Sequence, residues 1–230
     1  MNMSQKAKLE KVCELVEPTY RKLRNWGHGW QHIINVVEWA GRIAEGEGAD
    51  VFLCQVAAYC HDLGRLEEEE REMVNYTAGA PSAHAALSVK PTEKILDEIG
   101  IAGENRDKIL EAVKLHNIRK YDGPNKILLV LQDADRADGF SKFAVLRFAA
   151  FNCQMSISEP RNKKEIDAIF EKVRSDLKDD PDKRAKMLHT LDYVFGWYDT
   201  LLNTESAQKL LAPGYRFLKE FYRELGKPAS

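Results

Sequence analysis

The residues able to do chemistry in this chain are six histidines and a few aspartates, and their placement says more than their number. His28 and His32 stand four apart, about one helical turn. His32 extends the stripe Val36, Ala40, Ile43 at its N-terminal end, so its ring is expected to point inward. In AAYCHDLGR an apolar stretch ends in His61-Asp62, and a cation, Arg65, follows. His84 falls in the first turn of another apolar helix, on the side of Leu87 and Ile95. His116 closes the stripe Ile109, Ala112, Val113. Asp133 follows the run ILLVLQ, with Asp135 and Asp138 just after it. Imidazoles and a carboxylate thus recur where apolar stripes end. A lone buried imidazole or carboxylate is costly, and a shared cation accounts for many such positions at once.

Each of these residues also has an ordinary structural reading, and His61-Asp62 alone proves nothing. His189 has no partner of this kind and is expected to be structural. His28 stands between a role supporting a ligand and simple exposure at a helix start. Asp135 and Asp138 are expected as capping or supporting groups rather than ligands. The run Glu67–Glu70 reads as a solvated face.

The elements that must position these groups are helical, because apolar residues recur at helical spacing along most of the chain. Helices are expected over about 5–24, 29–46, from Asp50 as cap to Cys60, from Ser82 or Pro81 to Ile99 with a kink at Pro91, and over 104–117. Further helices are expected at about 141–155, 162–178 and 183–203. Thr204 and Ser206 can cap a short helix, and Pro213 can open a last one through Leu225. The run Ile127–Leu131 suits a buried strand or a buried helix, and its surroundings favour the helix. Glu67–Glu70 with NYTAGAPS reads as a long loop of the functional kind. The expectation is a single all-α domain, with a metal-site core at about 26–140 and C-terminal helices at about 141–226 packing on it.

Composition narrows the function classes. The formal net charge is −2 over 230 residues, with no strong basic stripe, so no nucleic-acid polymer is expected as partner. No apolar run approaches the ~20 residues that span a bilayer. The start, MNMSQKAKLEKV, lacks the apolar core of a signal peptide. Cys13, Cys54, Cys60 and Cys153 have no C-x-x-C spacing and read as reduced thiols of a cytoplasmic protein. A monomer or homodimer is expected.

The order His32, His61-Asp62, Asp133 resembles the signature of the HD-domain superfamily of metal-dependent phosphohydrolases. HGWQHIINVVEWAGRIAEGEGAD and QVAAYCHDLGR look like the first half of its bacterial predicted-hydrolase branch. LQDADRADGF looks like that branch's aspartate motif, with Ala137 where leucine is usual, and LLNTESAQKLLAPGYRFLKEFYREL looks like its closing helices. The resemblance implies that His32, His61, Asp62 and Asp133 hold a divalent cation. Fe, Mn, Co, Ni or Zn would suit these mixed imidazole and carboxylate ligands better than Ca, and Mg is a further expected ion. The order His, His-Asp, His, His, Asp of the binuclear members is also present, which would give His84 and His116 a second metal and make Asp62 the bridge. One or two metals per chain follow. Arg65 stands where some mononuclear nucleotidases of the superfamily carry a catalytic glutamate, and the sequence there resembles the His-Asp-x-Gly-Lys of binuclear phosphodiesterases. The implied catalytic residues are Asp62, Arg65 and His84. Arg65 would clamp a phosphoryl oxygen, with Lys114 and Arg136 as weaker candidates, and His28 or His84 would transfer a proton. The implied activity is hydrolysis of a small phosphorylated metabolite, a nucleotide foremost. The alternatives are a binuclear-iron oxygenase of the same superfamily and a non-catalytic metal-binding module.

Overall fold

A computed structural model of the chain describes residues 1–71 and 83–226, and among these there is no strand. The α-helices are α1 (Met3–Tyr20), α2 (Trp30–Glu47), α3 (Val51–Cys60), α4 (Arg65–Glu70), α5 (His84–Glu98), α6 (Gly103–Leu115), α7 (Lys126–Ala137), α8 (Lys142–Phe151), α9 (Lys163–Asp179), α10 (Pro181–Gly196) and α11 (Glu205–Leu225). A 3-10 turn at Trp26–His28 precedes α2, and a π turn at Trp197–Leu201 follows α10. The all-α expectation holds, and the ambiguous run Ile127–Leu131 is helical.

Two elements depart from the sequence reading. Residues 65–70 form a helix where a loop is expected. The expected loop segment NYTAGAPS, and the helix start at Pro81 or Ser82, lie outside the described residues. The C-terminal segment is one helix with Pro213 inside it, rather than two. A proline in a helix interior costs about 3 kcal/mol. Burial of Leu211, Leu218, Phe221 and Leu225 contributes about 1.5–3 kcal/mol each, so packing carries the helix through the proline.

Packing divides the chain into two compact units. The first comprises Met1–Asp135 with Asn203–Ala207, and the second comprises Arg136–Leu202 with Gln208 onward. In the first unit α2 packs along α3, α3 on α1 and α6, and α5 on α4 and α6. Ile33, Val36, Ala40 and Ile43 of α2, Val56, Ala57 and Cys60 of α3, and Ile109, Ala112 and Val113 of α6 are buried there. Asp50 starts α3 by accepting from the Leu53 amide at 3.0 Å. The Tyr20 hydroxyl donates to the Tyr59 carbonyl at 2.8 Å, which ties the last turn of α3 to the end of α1. In the second unit α8, α9 and α10 pack on one another, and buried Asp138 pairs with Arg147 at 2.8 Å. Asp138 thus carries a buried ion pair within the second unit.

Gly64 sets the approach of the turn after α3 to α5. Its amide donates to Ser88 Oγ at 2.8 Å. A Cβ at this position would stand 2.3 Å from the His84 carbonyl oxygen and 2.7 Å from the Ser88 nitrogen, both backbone atoms that cannot swing aside. Gly64→Ala is therefore expected to lower stability by roughly 1–3 kcal/mol, since overpacking forces backbone shifts. Calorimetric melting in EDTA checks this, and an unchanged Tm would mean that the contact opens without cost.

Candidate metal centre

The imidazoles of the first unit sit at helix ends, and the chemistry of helix ends explains their orientation. The last carbonyls of a helix lack helical partners. His61, just past α3, places Nδ1 2.7 Å from the Ala58 carbonyl, and His116, just past α6, places Nδ1 2.8 Å from the Val113 carbonyl. Each N–H satisfies a terminal carbonyl, so each Nε2 presents a lone pair inward. Gln132 of α7 secures the end of α6 by donating to the carbonyls of His116 at 3.3 Å and Ile118 at 2.9 Å. His32 comes from the first turn of α2, His84 is the first residue of α5, and His28 ends the 3-10 turn.

These rings converge on Asp62, and its two oxygens face different groups. Oδ2 lies 3.3 Å from His28 Nδ1, 3.7 Å from His61 Nε2 and 3.9 Å from His32 Nε2. Oδ1 lies 3.1 Å from His84 Nε2 and 3.6 Å from His116 Nε2. Asp135 joins the first group, with Oδ1 3.4 Å from His32 Nε2 and 3.9 Å from His61 Nε2. Candidate donor atoms lie within 4.8 Å of one another in three sets: His28, His32 and Asp62; His32, His61 and Asp135; His61, Asp62 and His116. His28 Nδ1, His61 Nε2 and Asp62 Oδ1 are buried and have no hydrogen-bond partner among the described residues. Buried polar atoms that converge without hydrogen bonds fit a divalent cation, whose bonds would replace the missing ones.

The charge states suit that reading. Burial is the main cause of the depressed values at His61, held down to about 4, and at His84, held down to about 2. Burial also lowers His28 to about 3, although a third of its side chain stays open. Neutral imidazoles are the metal-binding form. Burial alone would raise the Asp62 carboxyl, but Arg65 and the surrounding imidazoles outweigh it and hold Asp62 well below the usual carboxylate range. Asp135 is held at about 2, where His61 and His32 outweigh its burial. A consequence can be checked on metal-free protein. Between about 4, where His61 titrates in the folded chain, and about 6.5 in the unfolded chain, the unfolded state binds more protons. Stability in EDTA is therefore expected to rise with pH across that window, so Tm at pH 5 falls below Tm at pH 7. Equal values would show that these imidazoles are not buried neutral.

Other expected site residues are placed differently. Asp135 is placed against the imidazoles of His32 and His61, and Asp133 anchors a buried network of its own. Asp133 is fully buried and accepts from the Asn203 amide at 2.8 Å, the Thr204 amide at 2.9 Å, the Thr204 hydroxyl at 2.8 Å and Asn203 Nδ2 at 3.1 Å. Residues two apart on a helix point in different directions, and α7 is buried on nearly every side from Ile127 to Ala134, so the apolar stripe could not choose between the two aspartates. Arg65 is directed into the cluster: Nε donates to Asp62 Oδ2 at 3.1 Å, and NH1 lies 3.5 Å from Glu68 Oε2. Lys114 is exposed on α6, and Arg136 donates to the Leu201 carbonyl at 2.9 Å, so neither geometry supports a phosphate clamp. His189 is exposed. The run Glu67–Glu70 is not a solvated face, because Glu68 and Glu69 are buried. Glu69 accepts from the amides of Arg24 at 3.0 Å and Asn25 at 3.1 Å, which anchors the connection leading to His28. Neither glutamate carries a sequence signal beyond its charge.

An all-helical unit in which histidines from several helix ends surround one His-Asp pair defines a class, and comparison with known proteins identifies it. Residues 29–142 match the HD domain family model. The chain belongs to the HD-domain superfamily. It is similar to YpgQ of Bacillus subtilis (strain 168), 25% identical over 206 residues that cover 87% of this chain and 84% of that protein. The crystal structure of YpgQ in complex with ADP has a similar fold, with a TM-score of 0.60 at 22% identity, covering 97% of this chain and 95% of that one. A predicted HD superfamily hydrolase from an uncultured Thermotogales bacterium gives a TM-score of 0.58 at 21% identity, covering 97% and 96%. No helix among the described residues is long and apolar enough to cross a membrane.

Proposed function

We propose that this HD-superfamily hydrolase is a metal-dependent phosphohydrolase acting on a small phosphorylated metabolite, a nucleotide foremost. The observation that carries the reading is the division of labour at Asp62: Oδ2 faces His28, His32 and His61, while Oδ1 faces His84 and His116. His32, His61, Asp62 and Asp135 would hold one divalent metal, and Asp62, His84 and His116 a second. Bound there, the metals would lower the pKa of a coordinated water towards neutrality and polarise the phosphoryl group. Imidazole and carboxylate donors together suit Mn, Fe, Co, Ni or Zn.

The chain's own residues supply the rest. His28 and Asp135 are each about a third exposed and Arg65 is 22% exposed, while the other imidazoles are buried, so substrate would approach over this rim. Arg65 keeps a fixed positive charge beside Asp62, where it offsets charge that develops on the phosphoryl oxygens. His61 and His116 turn Nδ1 to helix carbonyls, which leaves each Nε2 facing the centre. That one solved structure of the Bacillus relative YpgQ is a complex with ADP supports a nucleotide as the substrate class.

The test is a hydrolysis screen over nucleoside mono-, di- and triphosphates and cyclic nucleotides, with release of phosphate and pyrophosphate as readout. Activity is expected with Mn²⁺ and is expected to vanish with EDTA. Metal-loaded, folded protein that releases neither product from any member would overturn the reading.

A further inference from the structure

Helix α5 begins after Ala83, a residue with no side-chain oxygen to cap it. The cap comes instead from α4. Glu68 Oε1 accepts from the Ala83 amide at 2.9 Å and the His84 amide at 3.2 Å. The other oxygen of the same carboxylate, Oε2, lies 3.8 Å from His84 Nδ1 and 3.5 Å from Arg65 NH1. Glu68 is only 3% exposed, so these contacts form away from bulk water. One carboxylate thus touches both the backbone and the ring of His84. On the far side of that ring, Nε2 lies 3.1 Å from Asp62 Oδ1 and 3.1 Å from His116 Nε2.

We propose that Glu68 is the positioning residue for the second metal position, holding the start of α5 by its amides and standing behind the His84 ring so that Nε2 faces Asp62. The inference rests on the two-position reading above. His61 and His116 follow their helices and use helix carbonyls to fix their protons. His84 begins its helix and cannot use such an end; the Glu68 carboxylate holds its backbone amide and stands behind its ring instead. A carboxylate behind a ligating imidazole orients the ring and raises its basicity, and loss of such a partner typically costs 10–100-fold in metal affinity. The same charge also holds Arg65 on the side of Asp62.

Glu68→Gln separates this role from simple capping. Glutamine keeps the volume and one oxygen for the two amides, but it loses the charge and turns an NH₂ towards Arg65 and His84. Mn²⁺ titration calorimetry of the EDTA-stripped full chain is the measurement, with wild type and His84→Ala alongside. Wild type is expected to show two binding steps. Glu68→Gln is expected to keep the first step at wild-type affinity, which also shows that it folds, and to weaken the second by roughly 10–100-fold, towards the behaviour of His84→Ala. Two unweakened steps in Glu68→Gln, or equal weakening of both, would overturn the role of Glu68 while leaving two metals in place. A single step in wild type would overturn the two-position reading itself, and this inference with it.

Discussion

Asp62→Ala is expected to empty both metal positions and to lower kcat/KM for the best nucleotide at least about 1,000-fold. Asp62 is the carboxylate that faces both histidine groups among the described residues, with His28, His32 and His61 on Oδ2 and His84 and His116 on Oδ1. Metal catalysis contributes several kcal/mol of charge stabilisation, and each 1.36 kcal/mol is tenfold in rate. His116→Ala, by contrast, is expected to lose only the second metal. Metal content and steady-state hydrolysis measured on the same preparations check both variants. Retention of one tightly held metal by Asp62→Ala would show that the two histidine groups do not depend on a shared carboxylate.

The pair Asp133 and Asp135 gives the second large effect, and the two substitutions are expected to diverge. Asp133→Ala leaves the half-buried amide of Asn203 and the buried amide and hydroxyl of Thr204 without their acceptor. Each buried donor left unsatisfied costs about 1–3 kcal/mol. A drop in Tm of roughly 10 °C follows for a chain of this size. Asp135 is a third exposed and faces the imidazoles of His32 and His61, so Asp135→Ala is expected to melt near wild type in EDTA and to lose its first metal. Melting curves and metal content separate the two outcomes. If Asp133→Ala kept its stability and lost metal, the geometry of α7 described above would be wrong.

The sequence carried the helical architecture and the convergence of histidines, because both follow from periodicity: apolar stripes at helical spacing end in His32, His61 and His116, and these rings meet. The partners of these groups were beyond the reach of spacing. Asp133 reaches residues 70 and 71 positions away, and only those distant amides distinguish it from Asp135. Within Glu67–Glu70 the four side chains are alike in charge, yet Glu68 reaches the start of α5 and Glu69 reaches Arg24 and Asn25, 15 and 45 residues away. Pro213 reads locally as a helix start, and the apolar face from Leu211 to Leu225 overrules it.

The central claim is a two-position metal centre built around Asp62. Metal content by plasma mass spectrometry, on protein saturated with Mn²⁺ and freed of excess, tests it most directly. The structure leads to close to two metals per wild-type chain, falling to close to none in Asp62→Ala. One metal in wild type, or a wild-type content that Asp62→Ala leaves unchanged, would contradict it.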